Sequence, residues 1–458
     1  MVAGDAGRTA PIDPATLVEE LSAHLLGWLS RQRWFGADVS EIVSVRPAHF
    51  EVIRRSWPML LWTPVDVTFA DGTVDTYQLL LGADQYRPDH LDDRFVVGEV
   101  TVPSGTAWIF DALADPVLAA VFVDHIAPRI AAREVVMLSG EQSNTSLIVD
   151  RRWIVKVYRR LEEGPNPDIE ITTALGEAGF ERVPVPIEIW RNGAFDLAVV
   201  RAFHARAVDG MAAARASLDE LLARRCQPRE TAEDFAPRAH ALGETTAMLH
   251  VALARSFGAA SADPQALIDS LVVHLRRVAP PGLPTERIEA TYRRLVGADD
   301  LGSAIRIHGD LHLGQSMLTR RHWLILDFEG EPTRSLVDRR EPSSPLRDVA
   351  GMIRSFHYAA ELALAGVEEG ERDRELDVLA EAWEERCVDH FISGYASVDD
   401  VHRLLPRERV SRDALLMLFE LDKAVYEVAY EAAHRPELID IPARAVRRLL
   451  GPGVRERW

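Results

Sequence analysis

Lysine is almost absent from this chain. Of the 52 basic residues among 458 positions, two are lysines, Lys156 and Lys423, and all the others are arginines. A compact ammonium and a planar guanidinium bind anions differently, so each lysine is a candidate for a site that arginine cannot serve. Chance retention is the alternative interpretation, and the neighbours of each lysine decide between the two.

Cysteine and long apolar runs are also scarce. Cys226 and Cys387 form neither a disulfide framework nor a metal-binding spacing, which favours a reducing compartment. No apolar run approaches the roughly 20 residues of a membrane-spanning helix. The N-terminus lacks the basic and then apolar order of a signal peptide. We therefore expect a cytoplasmic protein.

Positive charge is in deficit overall, with a formal net charge of −19. Such a surface repels the phosphates of nucleic acids and of anionic lipids, so we expect neither as a partner. A bound anion such as ATP then needs a local basic or metal-lined site. The composition, 47% hydrophobic and 27% charged, is that of a globular protein, and the length predicts two or three domains.

Three stretches of the chain differ in pattern. Residues 1–90 combine a helical segment over 14–31 with strand-like runs, and predict an N-terminal α+β cap. Residues 91–205 predict a β-rich lobe with a single helix over 168–178. Residues 206–458 show helical periodicity and predict a helical lobe. Strands are predicted over 48–54, 59–69, 73–81, 133–138, 146–149, 153–158, 185–190 and 195–203.

The most informative passage is His308-Gly309-Asp310-Leu311-His312-Leu313-Gly314-Gln315, followed by an apolar run that ends in Asp327-Phe328-Glu329-Gly330-Glu331-Pro332. Phosphoryl transfer needs an oriented acceptor hydroxyl and a divalent metal that neutralises phosphate charge. Asp310 is the candidate base, while Gln315 and Asp327 offer the hard oxygen ligands that magnesium prefers. Each residue alone is better explained as part of a polar loop that satisfies its own backbone, but the combination favours catalysis. The glycines disfavour a helical zinc pair of His308 and His312.

A second set of residues predicts a phosphate site in the middle lobe. Lys156 lies on an alternating apolar strand, where an ammonium is costly unless it meets an anion. ATP phosphates are the natural anion, and Glu170 on the next helix is the candidate orienting partner of Lys156. The loop 139–146 matches no glycine-rich or Walker pattern and on its own predicts a hairpin turn. In combination, we expect phosphate contacts from Ser143, Asn144, Thr145 and Ser146.

The helix predicted over 419–435 carries four charged residues at i+4 spacing on one face: Lys423, Glu427, Glu431 and Arg435. A solvated ladder of ion pairs is one interpretation. The other is a polar wall that binds sugar hydroxyls, with Tyr426 as an aromatic edge, and the second lysine favours it. His308 is a further candidate substrate contact. Nearby, Arg347 and Asp348 are predicted to fix the metal loop through an ion pair, and His250 to be a packed core residue.

These motifs resemble those of bacterial maltokinases, in order and over most of the chain. Further matches are Arg31-Gln32-Arg33-Trp34-Phe35, Asn166-Pro167-Asp168-Ile169-Glu170-Ile171, the stretch 344–355 and Leu421-Asp422-Lys423-Ala424-Val425-Tyr426-Glu427. The sequence departs from the family pattern at Gly36-Ala37-Asp38 and at Ser316.

The resemblance implies a bilobal, protein-kinase-like fold of the aminoglycoside-phosphotransferase group with an N-terminal cap. It implies ATP- and magnesium-dependent phosphorylation of maltose at its anomeric hydroxyl, giving maltose 1-phosphate for α-glucan synthesis. By the same resemblance Asp310 is the base, Gln315 and Asp327 hold magnesium, and Lys156 meets the phosphates. A trehalose synthase partner and a monomeric or homodimeric state are also implied.

Two alternatives stay open. A kinase of glucosamine, a related amino sugar or an aminoglycoside has a cationic acceptor, against which Lys423 argues. A sugar-binding pseudokinase would lack Asp310, Asp327 or Lys156, and this chain retains all three.

Overall fold

The computed structural model describes residues 12–36, 39–103, 105–138, 143–295, 300–331, 334–368, 370–451 and 457–458. Packing divides the chain into two compact units, one of residues 1–169 and 185–205 and the other of residues 170–184 and 206–458. The boundary after residue 205 falls where the sequence pattern changes to helical. Among the helices of the described residues, none combines the length and the apolarity needed to cross a membrane.

The first unit contains two antiparallel sheets. The larger has the order β1-β3-β4-β6-β5, with β2 paired to β3 and β10 paired to β4, and the smaller has the order β11-β12-β9-β8-β7. The strands are β1 (Ile42–Pro47), β2 (Glu51–Arg54), β3 (Met59–Phe69), β4 (Val74–Asp84), β5 (Val96–Val102), β6 (Gly105–Asp111), β7 (Val135–Met137), β8 (Asn144–Val149), β9 (Trp153–Tyr158), β10 (Arg160–Leu161), β11 (Glu188–Asn192) and β12 (Phe195–Ala202).

Both faces of the larger sheet are buried. Because side chains alternate along a strand, Leu61 and Leu81 join one core cluster with helix α1 (Pro14–Leu29), while Leu60 and Leu80 join a second cluster with the smaller sheet. Helix α2 (Pro116–Ile126) also packs in the second cluster. Its N-cap is Asp115, which accepts from two backbone amides.

The second unit is mainly helical and has one continuous core. Helix α3 (Pro167–Glu177) begins in the first unit and continues in the second. The other helices are α4 (Gly210–Arg224), α5 (Ala236–Phe257), α6 (Pro264–Val278), α7 (Thr285–Tyr292), α8 (Leu336–Arg340), α9 (Leu346–Ala365), α10 (Arg374–Ala396), α11 (Arg409–His434) and α12 (Asp440–Leu449). The short strands are β13 (Val208–Asp209), β14 (Ala259–Ser261), β15 (Ser303–Ile305), β16 (Ser316–Leu318) and β17 (Trp323–Ile325).

The predicted strands over 59–69 and 153–158 are confirmed as β3 and β9. The prediction of a single helix in the middle stretch is wrong, because α2 lies there as well; its apolar run Val117–Ala120 has no alternation that separates a buried helix from a strand. The helix predicted over 419–435 begins earlier, at Arg409. The cap boundary placed at residue 90 falls between β4 and β5 of one sheet, so we now propose that the cap extends through β6.

Candidate active site

One buried carboxylate, that of Asp348, holds the predicted catalytic loop through hydrogen bonds to its backbone. Asp348, in the first turn of α9, accepts hydrogen bonds from the backbone N–H groups of His308 at 2.8 Å and Gly309 at 2.9 Å. His250 Nε2 lies 3.0 Å from the same carboxylate. Burial alone raises the pKa of Asp348, but the His250 contact and the backbone bonds outweigh it and hold the pKa below its usual value. The loop that carries Asp310 is therefore fixed through its backbone.

His308 is a structural residue, and its assignment as a substrate contact is wrong. The side chain is buried, and its Nε2 lies 2.7 Å from the carbonyl oxygen of Leu326. Its Nδ1 accepts from the N–H of Asp310 at 3.3 Å. Both ring nitrogens are thus used to tie the loop to the chain just before Asp327.

The carboxylate of Asp310 meets the ammonium of Lys423, which lies on α11. Lys423 Nζ is 2.7 Å from Asp310 Oδ1 and 3.1 Å from Glu331 Oε1. Burial alone lowers the pKa of Lys423, but the Asp310 and Glu331 carboxylates outweigh it and raise the pKa above its usual value. Sequence reasoning placed Lys423 on the substrate and did not assign Glu331 at all, although both lie in quoted motifs.

The expected metal ligands lie together. Gln315 Nε2 is 3.0 Å from Asp327 Oδ2, and the N–H of Leu326 donates to the carbonyl of Gln315 at 2.9 Å. Asp327 has a φ of +64°, a left-handed conformation that turns the chain sharply after β17. A carboxylate oxygen of Glu329, which sequence reasoning did not assign, lies within 4.8 Å of one of Asp327. Carboxylate and amide oxygens are the donors that fit Mg²⁺.

The charged face of α11 is buried at Glu431, partly buried at Lys423 and Glu427, and exposed at Arg435. The structure supports neither sequence-based interpretation in full. Glu427 pairs with Arg354 of α9 at 2.5 Å, and Glu431 meets the hydroxyl of Tyr358 and pairs with Arg435 at 2.6 Å. The structure thus places Glu427, Glu431 and Arg435 in protein contacts, and their binding of a sugar stays a prediction.

Tyr426, the predicted aromatic edge, lies beside Lys423. Lys423 Nζ is 4.6 Å from the centroid of the Tyr426 ring, close enough for a cation–π contact. The ring of His274 stacks against Tyr426 with centroids 6.4 Å apart. A sugar contact by Tyr426 stays a prediction.

Arg347 does not pair with its neighbour Asp348, contrary to the expected ion pair. Its guanidinium lies 2.7 Å from Asp422, which also meets His274 at 2.9 Å. Asp422 precedes Lys423 on α11, so this pair joins α9 to the helix turn that presents the lysine. His250 is a packed residue, as predicted, with Nδ1 2.8 Å from the hydroxyl of Tyr395.

In the first unit, Lys156 and Ser146 are directly paired across β9 and β8, so their side chains share one face of the sheet. Lys156 Nζ lies 5.7 Å from the Tyr158 ring centroid. The Nδ2 of Asn144 contacts Ser143 Oγ at 3.2 Å. Phosphate binding by Ser143, Asn144, Ser146 and Lys156 stays a prediction, and residues 139–142 of the expected loop lie outside the described residues.

Thr145 is turned away from that face, which corrects its assignment to the nucleotide. Its hydroxyl accepts from Arg159 Nε at 2.8 Å, and both side chains are buried. Arg159 also pairs with buried Asp111 at 2.5 Å and lies 4.7 Å from the ring of Trp34. Alternation along β8 explains the difference, because adjacent residues point to opposite faces. Arg159 thus joins the cap sheet to β8.

The carboxylate of Glu170 pairs within the second unit, with Arg306 at 2.9 Å and Arg340 at 3.4 Å. Both arginines are far from Glu170 along the sequence, and sequence reasoning did not consider them. The pairing of Glu170 with Lys156 stays a prediction. Asp168, two residues earlier, is fully buried; its carboxylate pairs with Arg201 at 2.7 Å and accepts from the Tyr158 hydroxyl at 3.2 Å.

Comparison with known proteins shows what these features resemble. Residues 28–115 match the model of the maltokinase N-terminal cap domain. The chain is 27% identical over 335 residues to a glucosamine kinase of Mycolicibacterium smegmatis, covering 69% of this chain and 79% of that one. It is 27% identical over 336 residues to a glucosamine kinase of Streptacidiphilus jiangxiensis, covering 68% and 72%.

Solved structures agree on the fold. A glucosamine kinase in complex with glucosamine, ADP and inorganic phosphate superposes with a TM-score of 0.61 at 21% identity, over 95% of this chain and 99% of that one. A second crystal form of a glucosamine kinase gives a TM-score of 0.63. The chain therefore has a maltokinase-like cap and shares the fold of these sugar kinases. The expected α+β, kinase-like fold with an N-terminal cap is confirmed.

Proposed function

We propose that this ATP- and Mg²⁺-dependent sugar kinase phosphorylates maltose at the anomeric hydroxyl and releases maltose 1-phosphate. Asp310 is the base that accepts the proton of that hydroxyl, while Gln315 and Asp327 hold the metal. When bound, magnesium neutralises charge on the transferred phosphates. Lys156, with Ser143, Asn144 and Ser146, is proposed to meet the nucleotide.

The observation that carries a neutral acceptor is the ammonium of Lys423 at 2.7 Å from Asp310. The acceptor must approach this carboxylate, and so must come near the lysine. An ammonium held 4 Å from Lys423 would be repelled by about 4 kcal/mol at an effective dielectric constant of about 20. Glu427 and Glu431 are paired with Arg354 and Arg435. Asp310 and Glu331 already share the charge of Lys423, so they offset this repulsion only in part. A neutral sugar avoids this cost.

Glucosamine is the second candidate acceptor, because two relatives that match over two thirds of this chain are glucosamine kinases. The cap match and the motif at 421–427 favour maltose instead. The two candidates also differ in the product. Phosphorylation of an anomeric hydroxyl removes the reducing end of the sugar, whereas phosphorylation at any other hydroxyl leaves it intact.

The test is a panel of maltose, glucose and glucosamine with ATP and Mg²⁺, followed by ADP release and by the loss of reducing ends. We expect maltose to turn over fastest, with one reducing end lost for each ADP released. The Asp310→Asn variant is the control for contaminating phosphatase or kinase activity. Turnover of glucosamine with inert maltose would assign the enzyme to amino sugars.

The maltokinase resemblance supports two further proposals. A trehalose synthase is the proposed protein partner, since its maltose product would be the substrate here, and co-purification of the two chains tests it. The proposed location is the cytoplasm, where both ATP and a reducing environment for Cys226 and Cys387 are available.

A further inference from the structure

The ammonium of Lys423 is held by two carboxylates of different character. Asp310 is partly exposed, with 19% of its side chain accessible, and belongs to the catalytic loop. Glu331 is 3% accessible and cannot reach a sugar without displacing the lysine. Arg334 holds the other oxygen of Glu331 at 3.0 Å. Glu331 is therefore fixed on one side by an arginine and fixes Lys423 on the other.

From this geometry we propose that Glu331 and Lys423 are positioning residues for Asp310, and that Lys423 is not primarily a sugar ligand. Lys423 occupies Oδ1 of Asp310, so Oδ2 is the oxygen that faces the acceptor hydroxyl. His312 Nε2 lies 3.9 Å from Oδ2, beyond a hydrogen bond. One carboxylate oxygen is thus anchored, and the other accepts the proton. This inference rests on Asp310 being the base of the proposed reaction.

Charge around Asp310 comes from several elements. His312 lies on its own loop, Glu331 follows β17, and Lys423 and Tyr426 lie on α11. A small cavity beside Asp310 is lined by further charged groups: Arg347, Asp348 and Asp422. Arg347 and Asp422 pair with each other, and Asp348 is engaged by the loop backbone and by His250. Among these described residues, Lys423 is the cation in direct contact with Asp310, so its removal changes the local charge most.

The experiment compares Lys423→Met, Glu331→Gln and the double variant with the parent enzyme. Positioning predicts a fall in kcat of about 10²-fold for each single variant, with little change in the sugar KM. Lys423→Arg keeps a cation beside Asp310 and should recover more of kcat than Lys423→Met. Glu331→Gln keeps the charge of Lys423 but removes one of the two carboxylates that fix it, so its loss of kcat reports the position of the lysine and not its charge. The double variant should be no slower than Lys423→Met, because Glu331 acts through the lysine.

A matched control is Glu289→Gln on α7, which removes a carboxylate that bridges two arginines, Arg276 and Arg293, at the surface. Its kcat and sugar KM should equal those of the parent. Circular dichroism and ATP calorimetry verify that each variant folds. If Glu331→Gln does not fold, Lys423→Met still decides, because positioning lowers kcat whereas loss of a sugar ligand raises KM.

A large rise in the sugar KM of Lys423→Met with unchanged kcat would overturn the proposal and make Lys423 a sugar ligand. Additive losses in the double variant would also overturn it. Failure of the underlying function is distinguishable, because then Asp310→Asn itself would turn over normally.

Discussion

Replacement of Asp348 tests whether one buried carboxylate holds the catalytic loop. In the parent protein the Asp348 carboxylate lies 2.8–3.0 Å from two backbone N–H groups and from the His250 ring. Asp348→Ala removes this acceptor from all three groups. Each unsatisfied buried group costs about 1–3 kcal/mol. The losses overlap, so we expect about 3–5 kcal/mol of unfolding free energy, as for breaking a buried pair. This is a large fraction of the roughly 5–15 kcal/mol that stabilises a typical domain.

Asp348→Asn separates loop geometry from stability. The amide keeps the volume but replaces one acceptor oxygen by a donor, so at least one of the bonds to His308, Gly309 or His250 is lost. We expect about 1–3 kcal/mol of destabilisation and a fall in kcat of about 10²-fold, because the backbone that carries Asp310 shifts. Urea unfolding followed by circular dichroism gives the first quantity, and steady-state ADP release with maltose gives the second.

The pH dependence of stability provides an independent check. Because the folded pKa of Asp348 is below its unfolded value of about 3.9, its contribution to stability is full above that value. It is lost as the pH falls from about 4 through the lower folded pKa. The Asn variant lacks this part of the acid transition.

The control is Glu361→Gln, also on α9, whose carboxylate pairs with Arg444 far from the catalytic loop. It should change kcat little and stability by less than about 1 kcal/mol. If Asp348→Asn matched the parent enzyme in both stability and kcat, the idea that this carboxylate positions the loop would be refuted.

Three further predictions concern the same site. Asp310→Asn should lower kcat by about 10²–10⁴-fold while ATP binding persists, because a general base is lost; normal turnover would remove Asp310 from that role. Asp327→Ala should abolish magnesium-dependent nucleotide binding, measured by calorimetry with and without metal, and binding that is equal to the parent's would contradict the metal assignment. Gly351→Ala should push the catalytic loop away, since a Cβ there would lie 2.5 Å from the carbonyl oxygen of Leu311; we expect about 1–3 kcal/mol of destabilisation with reduced kcat, and an unchanged melting temperature would argue against this close contact.

Local patterns predicted much of the candidate site. The run from His308 to Gln315 and the acids after β17 lie close together in the chain, and hydrogen bonds such as Leu326 to Gln315 follow from a short connection. Strand β9 was likewise predicted from a local pattern, the alternation of apolar residues along the segment. Thr145 was assigned to the phosphates because of its polar character. Its place in the alternation directs its side chain to the opposite face of the sheet.

Long-range pairings could not be predicted. Glu170 finds Arg306 and Arg340, and Arg347 finds Asp422 rather than the adjacent Asp348. An arginine-rich sequence offers every carboxylate many possible partners, and sequence spacing does not rank them. For Arg347, the packing of α9 against α11 selects Asp422 as the partner.

The amino-acid sequence by itself determined the order of the elements, the catalytic loop and the acids that follow it, because these depend on short-range periodicity and turn chemistry. Tertiary structure decided what each charge does. Lys423 meets a carboxylate 113 residues away, and Asp348 holds a loop whose His308 is 40 residues away. Hydrogen bonds and ion pairs act over a few ångströms in space, so they depend on how helices pack and not on how residues are spaced along the chain.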